Sequence, residues 1–505
     1  MNHPPLQGAR LAWVTLALTL AVFLQIMGTT IANVALPSIA GDLGAASSQS
    51  IWVITSFAVA TAISVALTGW LAKRIGQVRL FVLSTLLFGL TSWLCGLAPN
   101  LELLIALRVL QGLVAGPIIP LTQSLLMASF APQKRNLALA LWSMMAIVAP
   151  VAGPIVGGLI SDYWSWPWIF YLNLPLSLFC AGLGWRLLRQ RETPISATPI
   201  NTVGLILLTL CVGALQTFLD RGKDLDWFAS TEIVILAVTA VVTLVYLIIW
   251  ESSSKDPVVE LSLFRDRNFS VGVIALSLAF MVYLGNIVLL PMVLQAQLGY
   301  TATWAGLAVA PIGLFPLLLS PLIGHFSHKF EMRTLATLSF VIFAIGYVWR
   351  SHFTVEVSYW TLFWPQLLQG IGLSMFFLPL TAITLSSIPP EKIASAASLS
   401  SVLRILFGGI GTSLAGTLWE RRTVFHHARL SEHLSPFRPE VEAWQAQLTQ
   451  LGLNPAQQLA YMERMLTQQS AILGAEELFW LSGVCFLLLI SIVWLAKPLR
   501  PQSKA

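Results

Sequence analysis

Charged residues are scarce in this sequence. Asp, Glu, Lys and Arg make up 10% of its 505 residues, whereas 56% are hydrophobic. A soluble domain of ordinary composition carries about 25% charged residues, so this chain cannot cover a water-facing surface. The formal charge of +6 does not predict a nucleic-acid partner, because the basic residues lie between apolar runs rather than along one face.

Cysteines and nucleotide-binding motifs are also scarce. The four cysteines (Cys95, Cys180, Cys211 and Cys485) lie within or at the edge of apolar runs and show neither metal-ligand spacing nor a disulfide framework. No Gly-x-x-x-x-Gly-Lys-[Ser/Thr] loop occurs, which argues against ATP-driven pumping. These absences predict a protein that is not an enzyme and that needs no bound cofactor or metal.

The sequence instead contains long apolar runs. A transmembrane helix needs about 20 mostly apolar residues, and this rule predicts fourteen spans. The first run is too long for the core of a signal peptide, so we interpret it as the first span. The predicted spans are 11–36, 51–72, 79–98, 101–129, 137–160, 167–188, 200–219, 229–250, 269–293, 303–324, 333–350, 360–386, 395–419 and 477–496.

The basic residues predict how these spans are oriented. Short cytoplasmic loops carry an excess of Lys and Arg, and an N-terminus inside the cell puts most of the 28 basic residues on the cytoplasmic side. Most basic residues of the opposite side lie in one long loop, 420–476, where the rule counts for little. We therefore predict that both termini are cytoplasmic.

The sequence also repeats itself at long range. Gln111-Gly112 recurs 258 residues later as Gln369-Gly370, and Pro120 recurs 259 residues later as Pro379. Recurrence at nearly one offset indicates two parallel halves, as in transporters built from repeated bundles. We predict an N-terminal six-helix half at 11–188, an inserted helix pair at 200–250 and a C-terminal six-helix half at 269–496.

The loop 420–476 is the one sizeable soluble segment that we predict. Val441, Trp444, Leu448 and Leu451 form one helical stripe, and Asn454-Pro455 resembles an N-cap with proline at the first helical position. We expect two amphipathic helices packed on the membrane domain. The alternative is a docking site for a periplasmic partner.

Several motifs resemble those of one transporter family. Arg108-Val-Leu-Gln111-Gly112 resembles the fourth-helix motif of major facilitator drug transporters, and the run from Ala149-Pro150 to Gly157-Gly158 resembles their fifth-helix antiporter motif. The segment from Trp166 to Pro175 is typical of fourteen-spanner drug:proton antiporters, and Gly69-Trp-Leu-Ala-Lys-Arg resembles the EmrB type. The fold expected from this resemblance is an all-α integral membrane fold of the major facilitator type with fourteen transmembrane helices.

The resemblance also implies a location, an energy source and partners. It implies a multi-pass protein of the bacterial inner membrane that exports hydrophobic toxicants and is driven by a proton gradient. It further implies a tripartite pump with a periplasmic adaptor protein and an outer-membrane channel. The remaining expected partners are small amphipathic substrates and membrane lipid.

The fifth span is a first candidate for conformational gating. Gly153 and Gly157 share one helical face, and their small size lets another backbone approach closely. Pro150 and Pro154 remove backbone hydrogen bonds and permit bending. By resemblance this face, together with Gly158, would pack against a helix of the opposite half. Ordinary helix packing is the alternative.

The loop after the second span is a second gating candidate. It contains Gly69, Lys73, Arg74 and Gly76. The usual family motif has an acid where this chain has Lys73, which argues against a charge latch of the common kind. The alternative is that these are ordinary positive-inside residues.

Two arginines lie in the interior of predicted spans rather than at their ends. An arginine at a span centre costs about 2.5–3.5 kcal/mol on translocon scales, so such residues usually face a cavity or a partner. Arg108 lies near the outer end of its span, where snorkelling toward Glu102 is the alternative, whereas Arg404 lies near the midplane. We predict that Arg108, Gln111 and Arg404 serve the substrate cavity or coupling.

Acidic residues are missing from the interior of every predicted span. The related exporters usually carry an aspartate in the first span, and here Gly28 occupies the matching position. Proton carriers usually titrate a carboxylate within the membrane. Coupling here must therefore use a boundary group such as Glu102 or Glu477, work through the protonation state of the substrate, or be absent.

A cavity with arginine and no acid favours anionic or neutral ligands over cations. The sequence thus predicts an efflux transporter for amphipathic, preferably weakly acidic or neutral, toxic compounds that works by proton-coupled alternating access. Two alternatives stay open: an uncoupled facilitator or uptake permease of the same fold, and a non-transporting sensor or scaffold.

Overall fold

The structure, a computed structural model, describes residues 4–45, 47–50, 52–196, 201–222, 225–254, 257–434 and 438–498. Every regular element within these ranges is helical, and fourteen helices are long and apolar enough to cross a membrane. The predicted all-α fold with fourteen transmembrane helices is therefore confirmed. Ile51 and Ile200, with which two predicted spans begin, lie outside the described residues.

We number the spanning helices α1 to α14 in chain order. In lipid, an apolar run becomes helical because a helix satisfies its backbone N–H and C=O groups internally. The bounds are α1 Gly8–Asp42, α2 Trp52–Ile75, α3 Gln77–Gly96, α4 Leu101–Ala115 and Ile118–Ser129, α5 Arg135–Tyr163, α6 Asn173–Leu188, α7 Thr202–Arg221, α8 Thr231–Ser253, α9 Arg267–Leu298, α10 Ala302–Val309 and Leu314–Phe326, α11 Met332–Arg350, α12 Tyr359–Ser374 and Phe377–Leu385, α13 Ile393–Ser431 and α14 Pro455–Val493.

Two of these helices are interrupted beside a proline. The first part of α4 ends at Ala115, and the second part begins after Pro117. In α10 a short 3-10 turn, Ala310–Gly313, contains Pro311 and separates the two parts. Proline lacks a backbone N–H and clashes with the preceding turn, so an α-helix does not run smoothly through these positions.

The helices pack around two main hydrophobic cores. Buried side chains of α1 to α6, such as Phe57 and Phe88, form one core. Side chains of α9 to α14, such as Phe343 and Phe486, form most of the other. We call α1 to α6 the first group of helices and α9 to α14 the second group. Val151 of α5 joins the second core, so α5 contacts both groups.

Helices α7 and α8 lie at the side of the bundle. The helix α7 packs against α2 and α13, where Ser413 donates a hydrogen bond to the carbonyl oxygen of Leu219 at 2.8 Å. The helix α8 packs against α7 and exposes many apolar side chains, Val241 among them at 61%. A large exposed apolar surface of this kind suits contact with lipid.

The two ends of the bundle differ in structure. We call the end that carries the start of α1 and the end of α14 the terminal face, and the opposite end the loop face. At the loop face α13 and α14 extend toward the segment between them, and Arg422 of α13 donates a hydrogen bond to Glu477 of α14 at 2.7 Å. The short helix Pro439–Gln450 packs there through Val441 and Leu448.

The expectation of two separate helices in the segment 420–476 is partly wrong. The helix around Val441 forms, but the other is the first part of α14, which runs unbroken from Pro455 to Val493. Asn454 starts it with a capping box, and no further proline occurs before Val493. Because α13 also continues to Ser431, the loop itself is shorter than predicted. Leu451 is 76% exposed and does not join the buried stripe.

Candidate functional site

Arg404 lies deep in the bundle, between the two groups of helices. It follows the first three turns of α13, roughly 16 Å from the terminal face at 1.5 Å per residue, and it is 5% exposed. The rings of Trp142, Phe280 and Phe377 surround it, with their centroids 5.8, 5.2 and 5.6 Å from Cζ. Desolvated aromatic rings stabilise a cation through their quadrupoles, so these rings offset part of the cost of burying the guanidinium.

A small cavity adjoins the Arg404 side chain. Helices α4, α5, α9, α12 and α13 all contribute to its wall. Its polar groups, apart from Arg404 and the Trp142 indole, are one amide and four hydroxyls, those of Gln123, Thr381, Thr384, Ser400 and Ser401. None of the described residues that line it is acidic. The cavity therefore carries one positive charge among neutral hydrogen-bonding groups.

Arg108 occupies a different place, inside the first group of helices. Its side chain is fully buried, its Nε donates to the carbonyl oxygen of Val53 at 2.9 Å, and its Nη1 donates to Oε1 of Gln111 at 2.7 Å. The centroid of the Phe57 ring lies 4.1 Å from its Cζ. Arg108 therefore does not snorkel. The structure brings Arg108 and Gln111 together, but neither lines the cavity beside Arg404.

Gly28 is buried in α1. A Cβ atom placed on it would lie 3.4 Å from the ring of Phe88, which is ordinary van der Waals contact. One turn earlier, Gln25 is 1% exposed, and its amide has no hydrogen-bond partner among the described residues. This part of α1 therefore carries an uncharged polar group close to the position at which the related exporters carry an acid.

The small residues of α5 pack against α1. A Cβ on Gly157 would lie 2.8 Å from the carbonyl oxygen of Ile31, and a Cβ on Gly153 would overlap the side chain of Thr30. The expectation from resemblance that this face meets a helix of the opposite half is therefore wrong. The reason is helix rotation, since a neighbouring face of α5, with Val151, is the one that joins the second core.

The prolines of α5 do not interrupt the helix. It continues from Arg135 to Tyr163, through Pro150. Gly158 is buried, and the side chain of Pro154 lies outside the described residues. A hinge in α5 stays a prediction.

The two groups of helices touch at the terminal face. A Cβ on Gly69 of α2 would lie 2.8 Å from the hydroxyl of Ser395 of α13. One turn along, Ser398 donates a hydrogen bond to the carbonyl oxygen of Val65 at 2.5 Å. Gly324 of α10 is packed against α5 in the same way. These contacts hold the two groups of helices together at the terminal face.

A cluster of ion pairs lies beside these contacts. Nζ of Lys73 is 2.7 Å from Oε1 of Glu260, and Nζ of Lys392 is 3.3 Å from Oε2. Burial alone would raise the pKa of Glu260, but the two ammonium groups outweigh burial and hold that pKa below its ordinary value. Lys73 lies in the last turn of α2, Lys392 precedes α13 and Glu260 follows α8. This carboxylate therefore connects three parts of the chain. We call this cluster the Glu260 clamp.

The turn after α2 depends on Gly76. Its φ of +96° lies in the region that favours glycine, and a Cβ there would overlap the carboxylate of Glu192. That carboxylate accepts hydrogen bonds from the backbone N–H groups of Val78 at 3.0 Å and Arg79 at 2.9 Å, so it caps α3. Arg74 lies over the ring of Trp70, 5.4 Å from its centroid.

Sequence reasoning missed two buried or half-buried acids. Glu251, in the last turn of α8, is 3% exposed and accepts a hydrogen bond from the backbone N–H of Val259 at 3.0 Å. A signal existed, because Thr243, Leu247 and Glu251 recur every four residues on the buried face of α8. Glu260 gave no such signal, since it lies in a non-helical segment and its partner Lys73 is 187 residues away.

A third buried arginine was also missed. Arg350 ends α11 at the loop face, where the sequence suggests a boundary residue, yet it is 2% exposed. Its Cζ lies 5.5 Å from the ring centroid of Tyr347 and 5.6 Å from that of Phe479. Aromatic residues of α11 and α14 enclose it, and only their tertiary packing reveals this.

Comparison with known proteins gives a consistent result. The profile of the Major Facilitator Superfamily matches residues 18–412. The chain is 55% identical over 498 residues to the fatty acid resistance protein FarB of Neisseria gonorrhoeae, covering 99% of this chain and 98% of that protein. It is 52% identical over 498 residues to the multidrug export protein EmrB of Escherichia coli (strain K12), covering 98% and 97% of the two chains.

Solved structures with low sequence identity share the fold. The human organic anion transporter MFSD10 (TETRAN) superposes with a TM-score of 0.59 at 13% identity, covering 96% of this chain and 100% of that chain. The proton:xylose symporter XylE, bound to 6-bromo-6-deoxy-D-glucose, superposes with a TM-score of 0.59 at 15% identity, covering 96% and 95%. At these identities the likeness concerns the fold alone.

Proposed function

The chain belongs to the Major Facilitator Superfamily, and from this premise we propose that it is an efflux transporter for amphipathic toxic compounds, preferably weakly acidic or neutral ones. Relatives that align over almost its whole length are named for multidrug export and for fatty acid resistance. It is a transporter and not an enzyme. We propose that it works by alternating access, in which the passage between its two groups of helices opens to one side of the membrane at a time.

The cavity beside Arg404 is the observation that carries the preference for acids. It lies between the two groups of helices and holds one buried arginine, with no carboxylate among its described lining residues. Either ion loses hydration on entering, but an anion is compensated by its attraction to that guanidinium, whereas a cation is repelled. The volume of the cavity is about 10 Å³ in this conformation, too small for a substrate, so we propose that it widens when the two groups of helices separate. The rings of Trp142, Phe280 and Phe377 around Arg404 would then offer an apolar surface for the rest of an amphipathic molecule.

We propose that the terminal face is cytoplasmic and that the chain lies in a bacterial inner membrane. The excess of Lys and Arg in the short loops of that face supports this orientation. Both termini are then cytoplasmic, and the loop face is periplasmic. In this orientation the contact of Gly69 with Ser395 and the Glu260 clamp belong to a conformation that is closed to the cytoplasm.

We propose that a proton gradient, rather than a bound cofactor, supplies the energy. The candidate coupling groups lie at the ends of the spans. Glu102 is exposed in the first turn of α4, and Glu477 pairs with Arg422 and lies 3.0 Å from Nε2 of His426. The alternative is that a weakly acidic substrate itself carries the coupled proton.

We propose that the loop face binds a periplasmic adaptor protein, which connects the transporter to an outer-membrane channel. The extensions of α13 and α14 support this proposal because they present a rigid helical surface beyond the span. Three acid–base contacts hold these extensions together. Arg422 and His426 both contact Glu477, and His427 lies 2.9 Å from Glu463.

A substrate panel tests the proposed function. A drug-hypersensitive bacterial host would express the chain with or without an adaptor protein and be exposed to acidic uncouplers, fatty acids and cationic dyes at several external pH values. We expect protection against the acids and a weaker effect on the dyes. Protection confined to cationic dyes would contradict the assigned preference.

Two variants connect the preference to the cavity. Arg404→Gln should lower protection against acids while leaving protection against neutral compounds, because only the charge is removed. Gly28→Asp adds a carboxylate to α1 and should shift the preference toward cationic dyes. Arg79→Gln is the matched control, because it also removes one positive charge but at an exposed position outside the cavity. An unchanged substrate profile in Arg404→Gln would remove this cavity from the mechanism.

A further inference from the structure

We propose that the chain has a second binding site, for a single-chain anionic amphiphile, between the inserted helices and the core at the terminal face. Two adjoining cavities form this site, with volumes of about 510 and 250 Å³. They share wall residues, among them Glu251, Val258 and Ser395. Small-molecule sites are typically clefts of about 300–1,000 Å³, so the combined space suits a ligand of this kind.

The smaller cavity is apolar and suits an acyl chain. Its wall comes mainly from α2, α7, α8, α13 and the segment after α8, with buried aliphatic residues such as Leu208, Val212 and Val402. Leu244 and Ile248 of α8 also line it, although their side chains are 45% and 48% exposed. Because α8 faces lipid, the cavity is open toward the bilayer. An apolar chain dissolved in the membrane can therefore reach it without crossing water.

The larger cavity is polar and suits an anionic head group. Its described charged residues are the cations Lys73, Arg265 and Lys392 and the acids Glu251 and Glu260, which leaves one positive charge in excess. Glu260 is paired within the clamp, and Glu251 accepts the backbone N–H of Val259. The exposed Arg265 has no ion-pair or hydrogen-bond partner for its side chain among the described residues. Arg265 is thus the cation available to a ligand.

The two cavities together define the ligand by its chemistry. A ligand with a carboxylate at Arg265 and one apolar chain in the smaller cavity would match both the polar and the apolar cavity. A long-chain fatty acid has both groups. A cationic amphiphile would meet the excess positive charge. The choice of a fatty acid over another single-chain anion rests on the proposed function, whereas the site itself rests on the geometry.

A direct binding experiment tests this site. The full chain, purified in phosphatidylcholine nanodiscs, would be titrated with radiolabelled palmitate. We expect saturable binding that Leu244→Trp weakens about tenfold or more by filling the apolar cavity, whereas Val241→Trp, on the lipid-facing side of the same helix, leaves it unchanged. Arg265→Gln should weaken binding about tenfold through loss of the charged contact, whereas Arg79→Gln, exposed at the same face, should not.

The outcomes separate this inference from its rivals. Binding that is insensitive to both Leu244→Trp and Arg265→Gln would overturn it. Nanodiscs that contain phosphatidylglycerol distinguish the source of the ligand, because full displacement of palmitate by this phospholipid would assign the site to a membrane lipid and overturn the single-chain assignment. Binding at this site in a chain that exports nothing would refute the proposed function alone, and export without such binding would refute this inference alone.

Discussion

Lys73 and Glu260 form an ion pair with an Nζ-to-Oε1 distance of 2.7 Å, although they are 187 residues apart in the sequence. The usual family motif places an acid at the position of Lys73. In this chain the acid comes instead from the segment that follows the inserted helix pair, and the same carboxylate also faces Lys392. The segment that follows the inserted pair therefore contributes to closure of the terminal face.

Replacing Glu260 with glutamine should loosen that closure. The amide carries no charge, so Lys73 and Lys392 lose their common counter-charge and repel each other. Both lysines are about half exposed, so we expect the loss of stability to stay below about 1 kcal/mol. The measurement is labelling of a Ser395→Cys reporter by a membrane-impermeant maleimide, which should become faster. Glu331→Gln, which removes a pair between near neighbours on the same face, should leave the rate unchanged.

Closure by the Glu260 clamp should not change with pH near neutrality. The neighbouring ammonium groups hold the pKa of Glu260 below its ordinary value of about 4.3. A carboxyl with a lowered pKa contributes its stabilisation above its unfolded pKa and loses it only as pH falls through the lowered value. Maleimide reacts with the thiolate, so the labelling rate of the same reporter must be divided by that of a free peptide thiol at the same pH. This ratio should be flat from about pH 5 to pH 8. A midpoint near pH 6 would point to a histidine instead.

Replacing Gly157 with alanine should destabilise the first group of helices. The new methyl group would lie 2.8 Å from the carbonyl oxygen of Ile31, so α5 and α1 must separate slightly, at a cost of about 1–3 kcal/mol. Gly182→Ala in α6 is the control, because its methyl group meets no atom within 4 Å and alanine favours the helix. Thermal unfolding in detergent compares the two. Equal melting temperatures would show that α1 and α5 do not pack as described.

Replacing Arg108 with methionine should lower the stability of the fold rather than change which substrates are exported. The carbonyl of Val53 and the amide of Gln111 would lose a buried donor, at about 1–3 kcal/mol for each unsatisfied group. We expect a lower melting temperature, with Arg79→Met unchanged because that side chain is exposed. A variant with normal stability and an altered substrate profile would instead place Arg108 in the transport pathway.

Membrane insertion and the number of spanning helices can be predicted from the sequence alone. A run of about 20 apolar residues is a local property. In lipid such a run forms a helix, because a helix satisfies the backbone hydrogen bonds within the segment. The cap at Asn454 and the breaks beside Pro117 and Pro311 follow from equally local chemistry. The family could be recognised from the sequence for the same reason, since its motifs are short and contiguous.

Which polar groups meet depends on how the helices pack. Arg108 and Arg404 are both lone guanidinium groups in apolar runs, yet one donates hydrogen bonds to Val53 and Gln111 within the first group of helices and the other lines a cavity between the two groups. Glu260 acquires its partners across nearly 190 residues, and Gly157 faces α1 rather than the opposite half. The physical reason is that an apolar run specifies a helix but not its rotation about its own axis. That rotation, set by packing against neighbours distant in sequence, determines what each side chain contacts.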